Sequence, residues 1–86
     1  MFDWDDDNAN RVRRHGVDPE EAEEAVTDPR RIGTPAYSTR RETRFAVFGT
    51  TEAGRLLFVV FTRRRRLIRV ITARDAAPNE KRQYWR

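Results

Sequence analysis

Cysteine is absent from this 86-residue sequence, and histidine occurs only once. The chain therefore has no disulfide framework, no thiolate zinc site and no cysteine nucleophile. No apolar run approaches the length that crosses a bilayer, and the acidic N-terminus lacks the apolar core of a signal peptide. We expect a cytoplasmic protein that needs no metal or cofactor and has no membrane partner.

Charged residues make up 37% of the chain, as do apolar residues, and the net charge is +4. The apolar residues are clustered, which is typical of a folded domain rather than a disordered chain. We expect a single domain over residues 1–86 with one modest core. The arginines crowd the second half, which favours a nucleic-acid or acidic-protein partner; a solvated basic face is the simpler alternative.

The most informative stretch runs from Arg55 to Arg74. Its apolar run, Leu56 to Phe61, is short for a buried helix and predicts a strand covered on both faces. Leu67 to Ala73 predicts a second strand. The turn between them is purely cationic, consisting of Arg63, Arg64, Arg65 and Arg66. A two-residue turn with positive φ would strain two arginines, so we expect a longer loop here.

Two helices and two strands are predicted before this hairpin, and one short helix opening at Pro78 after it. Asp5 and Asp18 are the expected N-caps of helices over Asp6 to His15 and from Pro19 to near Asp28. The first strands are expected at Arg30 to Tyr37, at an edge, and at Arg44 to Thr50. This order predicts an α+β fold: an antiparallel three- or four-stranded sheet with Leu56 to Phe61 central and the helices on one face. The predicted core consists of Phe2, Trp4, Phe45, Val47, Leu57, Val59, Phe61, Val70 and Ile71.

Several short motifs, in order along nearly the whole chain, resemble the BrnT family. They are FDWD at Phe2 to Asp5, RHGV at Arg14 to Val17, EEAEEAV before Asp28-Pro29, Arg44-Phe45 with Gly49, VVFT at Val59 to Thr62, ITAR at Ile71 to Arg74, and a last helix with Glu80 and Tyr84. The resemblance implies a RelE-like fold and a type II toxin. Such toxins are metal-independent ribonucleases that cleave RNA and block translation.

The same resemblance implies a partner, a BrnA-type antitoxin that neutralises the toxin. The family complex contains two toxins and two antitoxins. It represses its own operon, and it reaches DNA only through the antitoxin.

Metal-independent RNA cleavage needs a cation for the phosphorane charge, a base and an acid. Arg69 and Arg74 are the candidate cations, because a guanidinium grips phosphate oxygens and stays charged. Ordinary exposed-face arginines are the alternative. On a regularly alternating strand, Arg69 shares a face with Ile71 and Ala73.

Three residues are candidates for proton transfer. The imidazole of His15 exchanges protons near neutral pH, although a histidine at a helix end more often caps carbonyls. Glu42 is a candidate base or a partner in a surface salt bridge. Tyr84 is a candidate acid or base-stacking residue, and packing of the last helix on the sheet is the alternative.

RNA contacts are predicted for the turn arginines, because like charges repel unless an anion is present, and for Trp85 by stacking. A solubilising turn is the alternative for the arginines. The RNA would be free or ribosome-bound. We expect the acidic N-terminal helices to lie away from it, since carboxylates repel phosphate.

No base–acid pair is unambiguous, so the alternative function is a non-enzymatic subunit that pairs with an antitoxin and contributes to operon autoregulation.

Overall fold

The structure is a computed structural model that describes residues 1–85. Its elements are α1 (Asp6–Arg14), α2 (Pro19–Val26), β1 (Ile32–Thr34), β2 (Arg44–Thr50), β3 (Leu56–Arg64), β4 (Leu67–Asp75) and α3 (Pro78–Tyr84). The strands form one antiparallel sheet in the order β1-β2-β3-β4. The predicted α+β class, the order of elements and the inner position of β3 are confirmed. No helix within residues 1–85 has both the length and the apolar character to cross a membrane.

The two N-terminal helices begin where their caps predict. The Asp5 carboxylate accepts from the Asn8 amide at 3.2 Å, and the Asn8 side chain accepts in return from the Asp5 amide at 2.8 Å. Glu21 accepts from the Asp18 amide at 3.0 Å, with Pro19 in the first helical position. These contacts satisfy amides that have no partner within the helix.

One face of the sheet, here called the helix face, carries the larger core. Val47, Leu57 and Val59 are buried there against α1 and α2. A side chain at Gly49 would collide with the backbone of Ala25, so the close approach of α2 to β2 depends on glycine.

The opposite face, here called the arginine face, is partly covered by α3. Tyr84 of that helix is buried in a second cluster with Phe48 and Leu56, which alternate with the helix-face residues. The expectation that all helices share one face is therefore wrong for α3. Phe45 was predicted to lie in the core, but 42% of the residue is exposed, so that prediction is also wrong.

A β-bulge interrupts β4. Phe61 pairs with Val70, but its neighbour Val60 pairs with Thr72, so Ile71 is an extra residue without a partner on β3. A bulge of this kind changes the alternation of side chains along its strand. Ile71 is accordingly only half-buried, contrary to its predicted place in the core.

The bulge places Arg69 and Arg74 on the same face of the sheet. They pair with Thr62 and Phe58, which lie an even number of residues apart on β3 and so share the arginine face. Ala73 is instead fully buried in the core on the other face. The prediction that Arg69 shares a face with Ala73 is therefore wrong, because it assumed unbroken alternation.

The arginine turn is as short as a hairpin turn can be. Arg64 pairs with Leu67, and the two residues between them, Arg65 and Arg66, have φ angles of 50° and 69°. The expected longer loop is therefore wrong. A turn with two positive φ angles matches the right-handed twist of the strands, so β3 and β4 stay paired up to the turn. The left-handed backbone conformation costs about 1–2 kcal/mol for each residue that is not glycine.

Candidate active site

A small cavity of about 160 Å³ on the arginine face collects three of the candidate residues. Glu42 precedes β2, Arg64 ends β3 and Arg69 lies in β4. Two further arginines line the cavity, Arg11 from α1 and Arg44 from β2. The remaining lining residues are Asp7, Asn8, Val70 and Ile71. Four guanidinium groups around so small a space form a site for an anion.

Helix α1 reaches this cavity because Asn8 attaches it to β4. The Asn8 amide group donates to the carbonyl oxygens of Val70 at 2.9 Å and of Asp3 at 3.0 Å, and Asn8 is 4% exposed. An otherwise unpaired carbonyl of the strand is thereby satisfied. Asp7 and Arg11, one helical turn apart, then line the cavity.

Arg69 is held by carboxylates of the N-terminal segment. Its guanidinium lies 3.0 Å from Asp5 and 3.6 Å from Asp3, and its side chain is only 13% exposed. The pKa of Asp5 is lowered, mainly by the Asn8 amide and further by Arg69. These carboxylates orient Arg69, and Asp7 also lines the cavity. The expectation that the acidic N-terminal helices lie away from the bound RNA stays a prediction, with Asp5 beside Arg69 and Asp7 beside the cavity.

Arg74 forms a second, separate charged pair. Its guanidinium binds Glu80 of α3 through two hydrogen bonds of 2.8 and 3.1 Å and lies 4.4 Å from the centre of the Phe58 ring. The hydrogen bonds that Arg74 donates to Glu80 raise the pKa of Arg74. The partners of Arg69 and Arg74 on β3 are four residues apart, about 13 Å along the strand. The two arginines therefore contact different parts of one face rather than a single point.

Glu42 and Arg44 are directly paired in the cavity. Their side chains form an ion pair at 3.4 Å, and the Glu42 side chain is 23% exposed. The Nε of Arg44 is the only fully buried side-chain nitrogen or oxygen within residues 1–85 that has no hydrogen-bond partner. An unpaired buried donor is costly to the stability of the fold.

Comparison with known families agrees with this geometry. A family model described as "Ribonuclease toxin, BrnT, of type II toxin-antitoxin system" matches residues 4–80. The chain belongs to the BrnT family. It is therefore a ribonuclease toxin of a type II toxin–antitoxin system, with an antitoxin as its protein partner and RNA as its substrate. No curated protein matches the chain.

Tyr84 of this BrnT-family chain lies outside the cavity, in a buried polar network. Its hydroxyl donates to Asp28, which also accepts from the Thr50 amide at 2.8 Å and the Arg30 amide at 2.9 Å. Burial and the bond to Asp28 raise the pKa of Tyr84. Burial also raises the pKa of Asp28, but the hydrogen bonds outweigh it and the net pKa is lowered. The network attaches α3 to β2.

His15 is the C-cap of α1 and does not line the cavity, although Arg11, about one helical turn before it, does. His15 is exposed next to Gly16, whose carbonyl oxygen accepts from Arg55 at 2.8 Å. The structure thus brings Glu42, Arg64 and Arg69 together and leaves His15 apart from them.

The predicted RNA-contacting residues are accessible. Arg63, Arg64, Arg65 and Arg66 are exposed at the hairpin tip, and none of them forms an ion pair within the described part of the chain. Trp85 is 58% exposed and packs edge-on against Tyr84. In the described residues, no cluster of three or more histidine, aspartate or glutamate side chains could hold a metal ion.

Sequence reasoning did not include Arg11 and Arg44 among the residues that line this cavity. Arg44 belongs to the Arg44-Phe45 motif of the family resemblance, which was a usable signal. Arg11 had no such signal, since it resembles any basic residue in the last turns of a helix. Its position at the cavity depends on the contact between Asn8 and Val70, residues 62 positions apart.

Proposed function

We propose that this chain is a metal-independent endoribonuclease that acts in the cytoplasm on free or ribosome-bound RNA and so inhibits translation. One observation supports the proposal above all others: Glu42 lies in a cavity that four arginines line. The RNA phosphate would occupy that cavity.

The cavity arginines have the first chemical task. Arg69, fixed by Asp3 and Asp5, and Arg44, which lines the cavity, donate to the phosphate oxygens. Both guanidinium groups stay charged at neutral pH, so they stabilise the extra negative charge that develops on the phosphorane. Arg74, the hairpin arginines and Trp85 contact the flanking nucleotides.

Glu42 has the second task, that of general base. Its carboxylate removes the proton of the RNA 2′-hydroxyl, and the 2′-oxygen then attacks the phosphorus. The bond to the 5′-oxygen breaks, a 2′,3′-cyclic phosphate forms, and the 5′-oxygen takes up a proton from water. Tyr84 holds α3 on the sheet through Asp28, and α3 carries Glu80, the partner of Arg74. His15 is a helix-end residue outside the cavity.

The first testable prediction concerns cleavage by purified protein in the presence of a chelator. Glu42→Gln removes the base and should slow RNA cleavage about 10²–10⁴-fold. Arg69→Ala should slow it about 10²–10³-fold by removing a charge-stabilising donor. Arg13→Gln, an exposed change in the last turn of α1, is the control and should cleave normally. Absence of cleavage by the unchanged protein, together with normal growth on its expression, would refute the proposal.

We propose a BrnA-like antitoxin as the partner, in a complex of two toxins and two antitoxins that binds operator DNA through the antitoxin. The ordered motifs of the family resemblance support this assembly. Co-expression with the product of the neighbouring reading frame and light scattering of the purified complex would test it. A complex of any other stoichiometry would contradict it.

A second function, that of a non-enzymatic antitoxin-binding subunit, is favoured by a different observation. Arg69 and Arg74 are both paired with carboxylates of this chain, so a phosphate must compete with Asp5 and Glu80 for them. Under this alternative the chain binds its antitoxin but arrests no growth when it is expressed alone. Growth arrest that Glu42→Gln abolishes would exclude it.

A further inference from the structure

An apolar groove lies on the helix face beside the exposed Phe45. Its walls are Gly33, Pro35, Ala36, Phe45, Val47 and Phe61, and it is open to solvent with a volume of about 510 Å³. Phe45 stacks on Phe61 with ring centres 5.5 Å apart, yet remains 42% exposed. We call this feature the Phe45 groove. A contiguous apolar surface of this kind marks an interaction site more often than a single exposed residue does.

The groove lies beyond the end of β1, where the Arg44 amide donates to the Ser38 hydroxyl at 3.2 Å. Strand β1 pairs only with Ala46, Val47 and Phe48 of β2. Arg44 and Phe45 therefore form an edge of the sheet that β1 does not cover. At Gly33 an added Cβ atom would meet no atom within 4 Å, so there is open space beside this wall of the groove.

Positive charge surrounds the groove. The guanidinium of Arg63 lies 5.8 Å from the centre of the Phe45 ring, and Arg44 also lines the groove. A neighbouring cleft that shares Phe45 is lined by Arg41 and Arg64 as well. The occupant that complements this surface combines an apolar side chain with adjacent carboxylates.

We propose that the Phe45 groove is the docking site for an acidic, amphipathic segment of the antitoxin. This inference rests on the proposed function only in taking an antitoxin as the partner. An apolar side chain of the segment enters the groove, and the carboxylates of the segment pair with Arg63 beside the Phe45 ring. RNA is the less suitable occupant, because Phe45 lies on the helix face whereas the candidate phosphate cavity lies on the opposite face.

The test uses the full chain and the antitoxin produced from the neighbouring reading frame, purified together and then separated. Gly33→Leu fills the groove without removing any contact within this chain, and Phe45→Ser removes its main apolar wall. Tyr37→Ser is the control, since Tyr37 is 82% exposed and does not line the groove. Thermal melting of each variant confirms that it is folded. The dissociation constant for the antitoxin and the rate of RNA cleavage are measured for each.

We expect Gly33→Leu and Phe45→Ser to weaken antitoxin binding at least about 30-fold, as loss of a central interface contact does, while RNA cleavage stays within about twofold. Unchanged affinity in both variants would overturn the proposal. Loss of RNA cleavage with unchanged antitoxin affinity would identify the groove as an RNA contact instead. If the unchanged protein cleaves no RNA, the proposed ribonuclease function fails, but the antitoxin affinities still decide the docking site.

Discussion

Asp28 shows how one buried residue supports the position of an entire helix. Its carboxylate is 8% exposed and receives hydrogen bonds from three segments: the loop after α2, the end of β2 and α3. Partners such as Thr50 and Tyr84 lie 22 and 56 residues away along the chain. Sequence reasoning could place Asp28 only at a helix end, because nothing local to it indicates these distant donors.

A pH prediction follows from the lowered pKa of Asp28. Because this pKa is lower in the folded than in the unfolded protein, the unfolded state binds more protons in acid. The carboxylate therefore stabilises the fold above pH 3.8, the ordinary pKa of aspartate, and this contribution is lost as the pH falls towards the folded pKa. Tyr84→Phe removes one donor, raises the pKa of Asp28 and should cost about 1–3 kcal/mol near neutral pH.

Urea unfolding between pH 3 and pH 7 would measure both effects. In Tyr84→Phe, less stability should be lost in acid than in the unchanged protein, because the folded pKa of Asp28 lies closer to its unfolded value. Tyr37→Phe, at an exposed tyrosine, should behave like the unchanged protein. An identical acid profile in Tyr84→Phe would show that the hydroxyl does not stabilise the charged form of Asp28.

At the scale of secondary structure, most features that depend on neighbouring residues in the sequence agree with prediction. The bounds of β2 and the caps of α1 and α2 agree with prediction, because alternation and capping residues act within a few positions. The bulge at Ile71 could not be predicted, since LIRVITAR also reads as a regular strand. That single bulge decides which face of the sheet Arg74 occupies, because it determines that Arg69 and Arg74 share a face.

The two-residue turn yields a prediction about stability. Arg65→Asn with Arg66→Gly installs the residues that such turns prefer, and should raise the free energy of unfolding by about 1–2 kcal/mol because the strain at positive φ is relieved. RNA affinity should fall, because two exposed charges are lost. The control is Arg40→Asn with Arg41→Gly, which removes two exposed charges from a loop without positive φ. A double turn variant no more stable than the unchanged protein would contradict the strain argument.

Across the whole molecule, charge is distributed unevenly. The acidic helix α2 covers the helix face, and the exposed arginines project from the hairpin tip at Arg63 to Arg66. An antitoxin segment in the Phe45 groove would reach Arg63, the first residue of that tip. Two routes of neutralisation are then physically distinct. In direct capture, antitoxin acids pair with the arginines, whereas in burial by assembly the complex covers the site without such pairs.

Association kinetics at different salt concentrations separate the two routes. Direct capture predicts an on-rate that falls steeply between about 0.01 and 0.15 M salt, because the screening length shortens from about 30 to about 8 Å. Arg64→Ala with Arg65→Ala should remove most of that dependence. Arg13→Ala with Arg14→Ala deletes the same charge from the exposed end of α1 and should retain it. An on-rate of the unchanged protein that does not respond to salt would reject direct capture and leave burial by assembly.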